Sequence, residues 1–355
     1  MIHVLHLVPT GGWAGTEQMV ANLANRTVGE GHRLTVVLRE GPNAPRAAIE
    51  QRFDERIALI FVPDGLTVGA VAEYVVECLD ADPDVVHTHL RGAATLAETL
   101  ELPAPTIAHL HVRYFEAHCW RADAVVCVSP WQAGDLPDHV RSYLVPNWVE
   151  DLTLASGDEC AAFRERVGID GDGLLVGAIG RLADEKAFDR LCAAFLRAAD
   201  SSDRLVVIGD GPRRDDLAAL AAADMRIRLT GHVPDGRRLL PAFDIFASSS
   251  RLESFGMSVL EAMTVGLPIV ATAARGVVDL LGDSDVPLVA IDDVDALAAA
   301  LADELAACRS DRRRVDYDVS AYTPAAGAAR MRDAYADLLG ALPSACVQAG
   351  VDGVR

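Results

Sequence analysis

Two carboxylates stand eight positions apart, Glu253 and Glu261, in the run Ser250-Arg-Leu-Glu-Ser-Phe-Gly-Met-Ser-Val-Leu-Glu-Ala-Met-Thr-Val-Gly-Leu-Pro268. Glu253 falls in a loop after a short apolar run. Ser254, Phe255 and Gly256 lead from it into a helical pattern that carries Glu261. A glycine at a helix entry lets a ligand approach the backbone. The N–H groups of the first turn, near Met257, Ser258 and Val259, attract a diphosphate because they lack intrahelical acceptors and carry the positive end of the helix dipole. Glu261 lies within two turns of that entry, where a carboxylate can accept from the hydroxyls of a ribose.

Two cations five positions apart, Arg181 and Lys186, follow a strand-like run that ends in Gly180. A diphosphate leaving group gains negative charge as its bond to a sugar breaks. Fixed Arg and Lys charges stabilise it without a metal. The competing reading is surface pairing with Asp184 and Glu185. Gly209-Asp-Gly211-Pro212 ends another strand and opens a helix. It is a partial dinucleotide-type turn, because Arg214 stands where the third glycine would be. In Gly231-His232-Val233-Pro234 backbone contacts to a ligand are expected, with no catalytic part for His232.

The first loop, Pro9 to Glu17, contains Gly11, Gly12 and Gly15 together with Trp13 and Thr16. Such a loop lets backbone N–H groups approach a phosphate or an acceptor. Trp13 either stacks on a sugar or caps a hydrophobic edge. His87 and His89 end one strand, and His109 and His111 end another, at the carboxyl edge of a parallel sheet, where ligands bind. A metal held by these pairs is disfavoured because no Asp or Glu stands at ligand spacing.

These segments resemble family 4 retaining glycosyltransferases of the two-domain GT-B type. The carboxylate pair is similar to that family's E-x7-E motif, Gly180-Arg181-Leu182 with Lys186 to its Gly-Arg-Leu and Lys-Gly, Gly209 to Pro212 to its Gly-x-Gly-Pro turn, and Val145-Pro146-Asn147 to its Val-Pro-Asn-Gly junction. The resemblance implies that Glu253 lies against the donor sugar and Glu261 on the ribose. It implies that Arg181 and Lys186 stabilise the leaving diphosphate and that His111 contacts the donor sugar. Gly12, Trp13, Thr16 and Asn147 are expected on the acceptor side, and Gly15, Gly180, Gly209, Gly211, Pro212, His232, Val233 and residues 254–259 on the donor side. Three positions depart from the pattern: Ser254 and Ala187 stand where glycines are common, and Trp148 replaces a small residue. No D-x-D motif sits in a matching place, so metal independence is expected, with no cofactor beyond the nucleotide sugar itself. A GT-B epimerase and an inactive partner subunit are the alternatives.

Elements must position these residues, and the chain supplies them as short apolar runs alternating with helical stretches. Ile2–Val8, Arg33–Leu38, Ile57–Val62, Asp84–His89, Thr106–Val112 and Ala124–Ser129 read as strands. Thr16–Glu30, Val68–Leu79 and Ala93–Leu100 read as helices between them. The alternation restarts after Asp151–Asp158 and runs through Leu174–Gly180, Arg204–Ile208, Ile227–Thr230, Ile245–Ala247 and Pro268–Ala271. This predicts two Rossmann-like doubly wound α/β domains, 1–150 and 151–320, facing a central cleft. The helix at 321–342 is expected to pack back on the first domain, and 343–355 to form a loose tail.

The 355 residues are 51% hydrophobic, enough for two packed cores. A net charge of −20 argues against nucleic acid and against a broad dock on anionic lipid, although transient membrane contact stays compatible. Seven scattered cysteines with no C-x-x-C pair argue against a disulfide framework and point to a cytoplasmic protein. The N-terminal run has no basic leader pattern, and no apolar stretch reaches the ~20 residues of a membrane span.

Overall fold

A computed structural model describes residues 1–13, 15–41, 45–115, 122–169 and 171–340. The chain divides into two compact units, Met1–Asn147 with Tyr322–Arg355, and Trp148–Ala321. The residues expected as a loose tail lie outside the described ones.

Unit 1 is built on a parallel sheet of β1 (His3–Leu7), β2 (Arg33–Leu38), β3 (Ala58–Phe61), β4 (Val85–His89), β5 (Thr106–Leu110), β6 (Ala124–Cys127) and β7 (Ser142–Leu144), in the order β3-β2-β1-β4-β5-β6-β7. Its central strands are buried on both faces: β2 reads as a near-continuous apolar run, and β1 and β4 interrupt theirs with buried histidines. The helices α1 (Gly15–Gly29), α2 (Arg46–Glu50), α3 (Val68–Cys78), α4 (Leu90–Leu100) and α5 (Pro130–Gly134) connect them. One side of the core packs Leu5, Leu7, Val37 and Val86 against Val71, Val75, Leu96 and Leu100.

Unit 2 opens with α6 (Gly157–Arg166), started by a capping box in which Ser156 and Glu159 satisfy each other's backbone N–H groups. Its parallel sheet has the order β10-β9-β8-β11-β12-β13. The strands are β8 (Leu175–Ile179), β9 (Arg204–Ile208), β10 (Ile227–Gly231), β11 (Ile245–Ser248), β12 (Ile269–Thr272) and β13 (Leu288–Val289). The helices are α7 (Phe188–Ala198), α8 (Arg214–Ala223), α9 (Met257–Thr264), α10 (Arg275–Leu281) and α11 (Val294–Ser310). Leu191, Phe195, Leu301 and Leu305 close the core beneath β8 and β9. Both sheets switch direction beside their first strand, which places ligand crevices at the carboxyl ends of β1 and β8.

The final helix, α12 (Pro324–Leu338), belongs to unit 1. It packs on α1, where Arg332 pairs with Glu30 at 2.6 Å. The Asp337 carboxylate accepts from Arg141 at 2.5 Å and from the Tyr143 hydroxyl at 2.8 Å. Among the described residues, no helix is long and apolar enough to cross a membrane.

Candidate active site

The carboxyl edge of the unit 2 sheet is a stack of tight backbone contacts. Gly180 N–H donates to Ile208 carbonyl at 3.0 Å and Gly209 N–H to Gly231 carbonyl at 3.0 Å. Gly209 has φ +153°, and a Cβ there would stand 1.9 Å from the Gly180 carbonyl oxygen. A Cβ on Gly211 would meet the Leu182 backbone at 2.5 Å. Only glycine lets the three loops after β8, β9 and β10 close on one another.

From Gly180 the chain makes a single 3-10 turn, Asp184–Lys186, and enters α7 through Ala187. Ala187 is buried in the left-handed region at φ +47°, so the alanine keeps the conformation that a glycine adopts freely, at a cost of about 1 kcal/mol. That turn aims Lys186 at the next loop. Its Nζ lies 2.5 Å from Glu253 Oε1, with the two side chains 20% and 10% exposed. The Ser250 hydroxyl donates to the same oxygen at 2.8 Å. Ser249 fastens the loop by donating to the Lys186 carbonyl at 2.8 Å. Arg251 N–H donates to the Glu185 carbonyl at 2.8 Å.

Gly256 then turns the chain into α9 at φ +98°. Phe255 is buried, whereas Met257 and Ser258 stay half-buried at the helix entry. The loop also rests on α10, where Gly276 N–H donates to the Glu253 carbonyl at 3.2 Å. A Cβ on Gly276 would stand 2.7 Å from Phe255 N, so this glycine sets how closely the Glu253 loop can approach α10.

Glu261 faces inward from α9, and its Oε1 is 3.5 Å from Arg237 Nη1, which sits in the 3-10 turn Gly236–Ala242. Burial pushes the Glu261 carboxyl up to about 7, against the lowering pull of Arg237. Arg237 Nε also donates to Asp235 at 2.7 Å.

The structure therefore brings Lys186, Glu253 and Ser250 together and pairs Glu261 with Arg237. Arg181 instead points outward to Glu185 at 2.5 Å, 67% exposed. His232 is exposed on its turn, and Val233 is half-buried beside it. Ser250, Arg237 and Gly276 went unassigned in the sequence. Ser250 could have been found from its position three before Glu253. Arg237 and Gly276 carry no local signal for their place at the site, because Glu261 is 24 residues from Arg237 and the Glu253 loop is 21 or more from Gly276.

In unit 1 the first loop is folded on itself. A Cβ on Gly41 would collide with the Gly11 carbonyl, so the second loop lies directly on Gly11 and Gly12. The Thr10 hydroxyl donates to the buried Glu17. Trp13 meets Phe53 edge-on at 6.1 Å and carries the Arg52 guanidinium 4.6 Å over its ring. Gly15 and Thr16 form the first turn of α1, and Asn147 is the last residue before unit 2 begins at Trp148, which is buried.

The strand-end histidines form a cluster that includes His6, which the sequence reading passed over. Register places His6 beside His87 and His89 beside His109. The two-residue period puts His6, His87, His89, His109 and His111 on one face, stacked with centroids as close as 4.3 Å. Burial lowers all five pKa values, to about 3 for His6 and about 4 for His111, so the rings are neutral at pH 7. His6, His87 and His89 each offer one ring nitrogen within 4.8 Å of the others. His6 Nδ1 and His89 Nε2 face each other at 3.0 Å. His111 lines a cavity of about 250 Å³ with Leu90, Leu110, Val112 and Phe115.

Two parallel-sheet α/β units, each with its crevice at the carboxyl edge, define the GT-B glycosyltransferase fold. Residues 13–151 match the model of glycosyltransferase family 4, and residues 173–306 match that of the glycosyl transferases group 1. The D-inositol 3-phosphate glycosyltransferase of Xylanimonas cellulosilytica is 32% identical over 71% of this chain and 72% of its own length. The chain belongs to this glycosyltransferase family. The lipopolysaccharide core biosynthesis glycosyltransferase LpsE of Rhizobium meliloti is 30% identical over 54% of the chain, and the match spans 56% of that relative. Among solved structures, Anabaena HepE in complex with UDP and glucose superposes with a TM-score of 0.75 at 18% identity, over 95% of this chain and 100% of that one.

Proposed function

We propose that this protein is a cytoplasmic, metal-independent, retaining glycosyltransferase that moves a sugar from a nucleoside diphosphate sugar to an acceptor hydroxyl in the synthesis of a glycan, glycolipid or glycoside. The Lys186–Glu253 pair beside the α9 entry carries the reading. Both bonds to Glu253 fall on Oε1, which leaves Oε2 to accept from hydroxyls of the donor sugar. An ammonium has three donors, so Lys186 can hold Glu253 and still reach the diphosphate. Arg181, held among the described residues by an exposed ion pair with Glu185, can turn to the same phosphates. Glu261 takes the ribose hydroxyls. In the transfer the bond from C1 to the diphosphate oxygen breaks, and the acceptor oxygen bonds to C1 on the same face. The acceptor proton passes to the departing phosphate. No carboxylate is required as a covalent nucleophile, and two cations meet the charge that a metal would otherwise neutralise.

Among the described residues Cys78, Cys160, Cys192 and Cys308 are free thiols, in keeping with a reducing compartment. UDP binding in HepE supports a nucleoside diphosphate donor. Calorimetric titration with UDP and GDP, followed by transfer assays in EDTA with the product anomer read by NMR, tests the proposal. Binding of one nucleotide, transfer undiminished by EDTA and an anomer matching the donor are expected. An inverted product would overturn retention, loss of transfer in EDTA would overturn metal independence, and no nucleotide binding would leave an interaction protein.

A further inference from the structure

Two lines of imidazoles run through the unit 1 sheet. In one, His6 Nδ1 lies 3.0 Å from His89 Nε2, and His89 Nδ1 lies 3.1 Å from His111 Nε2. In the other, the Tyr335 hydroxyl on α12 is 2.7 Å from His87 Nδ1, and His87 Nε2 is 3.3 Å from His109 Nδ1. A neutral imidazole has one donor nitrogen and one acceptor, so each line must run in a single direction. The first ends inside the protein at His6 Nε2, which is buried without a partner among the described residues.

That end decides the direction. If the protons pointed inward from His111, His6 Nε2 would be a buried N–H with nothing to receive it. If they point outward, it is only an unused acceptor. Orphaned buried donors are the rarer of the two. The outward order is His6 Nδ1–H to His89 Nε2, then His89 Nδ1–H to His111 Nε2. It leaves the His111 proton on Nδ1, the nitrogen that His89 does not hold.

We propose that His89 is a positioning residue that fixes His111 in its Nδ1–H tautomer, so that His111 offers a hydrogen-bond donor to a hydroxyl oxygen of a ligand in the cavity it lines. The ligand's being a sugar rests on the transferase reading; the tautomer does not. A neutral N–H donor in a cavity walled by Leu90, Leu110, Val112 and Phe115 suits a hydroxyl-bearing group, and Arg91 and Arg113, which also line it, accommodate one that carries negative charge elsewhere. With its second nitrogen already occupied, His111 binds and orients and does not act as a general base.

Long-range 15N–1H correlation spectra of the full chain, labelled at histidine and treated with EDTA, read the tautomers directly. His6, His89 and His111 are expected to carry their protons on Nδ1. In His89→Phe the His111 signals should move to the Nε2–H form. His89→Asn can place an amide N–H where Nδ1–H stood, and should restore them. With a donor sugar nucleotide, the phenylalanine variant should raise KM about tenfold, in line with loss of one oriented hydrogen bond, and the asparagine variant should recover most of it. An Nε2–H His111 in the wild type, or an unchanged tautomer in His89→Phe, overturns the proposal. So does displacement of the His6 and His89 signals by added zinc, which would make the trio a metal site. Nδ1–H spectra without transfer from any donor would uphold the tautomer and overturn only the transferase reading.

Discussion

Lys186 and Glu253 meet at 2.5 Å although 67 residues separate them, because the αL turn at Ala187 and the Ser249 hydroxyl lock the two loops together. The pair is largely shielded, so neither charge can be removed without leaving the other poorly solvated. Lys186→Ala is expected to lower kcat/KM by roughly 100- to 1,000-fold, the loss typical of one oriented charge at a developing anion. The variant should keep the wild-type circular dichroism spectrum, with a Tm lower by a few degrees. Full turnover in Lys186→Ala would remove the leaving-group role.

With Glu261 on the ribose, as proposed, nucleotide affinity is expected to depend on pH. The Glu261 carboxyl, raised to about 7, must be ionised to accept from two ribose hydroxyls. Affinity is expected to be weak below pH 6 and to rise through pH 7 to a plateau near pH 8. Arg237 lowers that pKa by its charge, so Arg237→Leu should move the midpoint upward and weaken binding at pH 7. Glu261→Gln should abolish the pH dependence. Titration calorimetry of the three proteins from pH 6 to 8.5 measures all of this, and a flat wild-type profile would refute it.

Ala187 shows what a sequence can and cannot convey. The pattern with a glycine after Lys186 signals a left-handed residue, and Ala187 departs from that pattern. The structure holds alanine at φ +47° all the same, since the α7 core under Phe188 and Leu191 and the bond from Ser249 over-determine it. Ala187→Gly should relieve the strain while adding some freedom to the unfolded chain, for a net gain of up to about 0.5 kcal/mol. Denaturant midpoints compare the two, and a loss of stability would show that the strain is absent.

Much of the fold was legible because buried parallel strands advertise themselves as apolar runs. Arg33–Leu38 and Arg204–Ile208 were bounded to the residue. Strand β7 escaped because Ser142–Leu144 is three residues long. Helix α6 escaped because Gly157–Arg166 buries only Phe163, although Ser156 and Glu159 spell out its capping box. Helix α10 follows β12 after only Ala273 and Ala274 and has no polar cap residue. At the site, Glu253, Glu261 and Lys186 announced themselves by local spacing. Arg237 and His6 reach their partners across the sheet order, which periodicity does not encode.

The imidazole cluster makes unit 1 sensitive to acid. All five folded pKa values lie below the 6.5 of an exposed histidine, whereas the unfolded chain protonates near 6.5. Below that pH the unfolded state binds more protons, so stability is intact above 6.5 and falls as pH drops. The decline continues until the folded values, about 4 for His111 and about 3 for His6, are approached. Each histidine contributes about 1.4 kcal/mol per pH unit, and five acting together about 7 kcal/mol. A domain with roughly 5–15 kcal/mol of stability would then unfold within one to two units below pH 6.5. Removing one titrating ring by His6→Phe, which keeps the buried volume, should lessen the slope by about 1.4 kcal/mol per unit. Urea unfolding of both proteins at pH 7.5, 6.5 and 5.5 checks the slopes, and a wild type as stable at pH 5.5 as at 7.5 would show that the cluster accepts charge without unfolding.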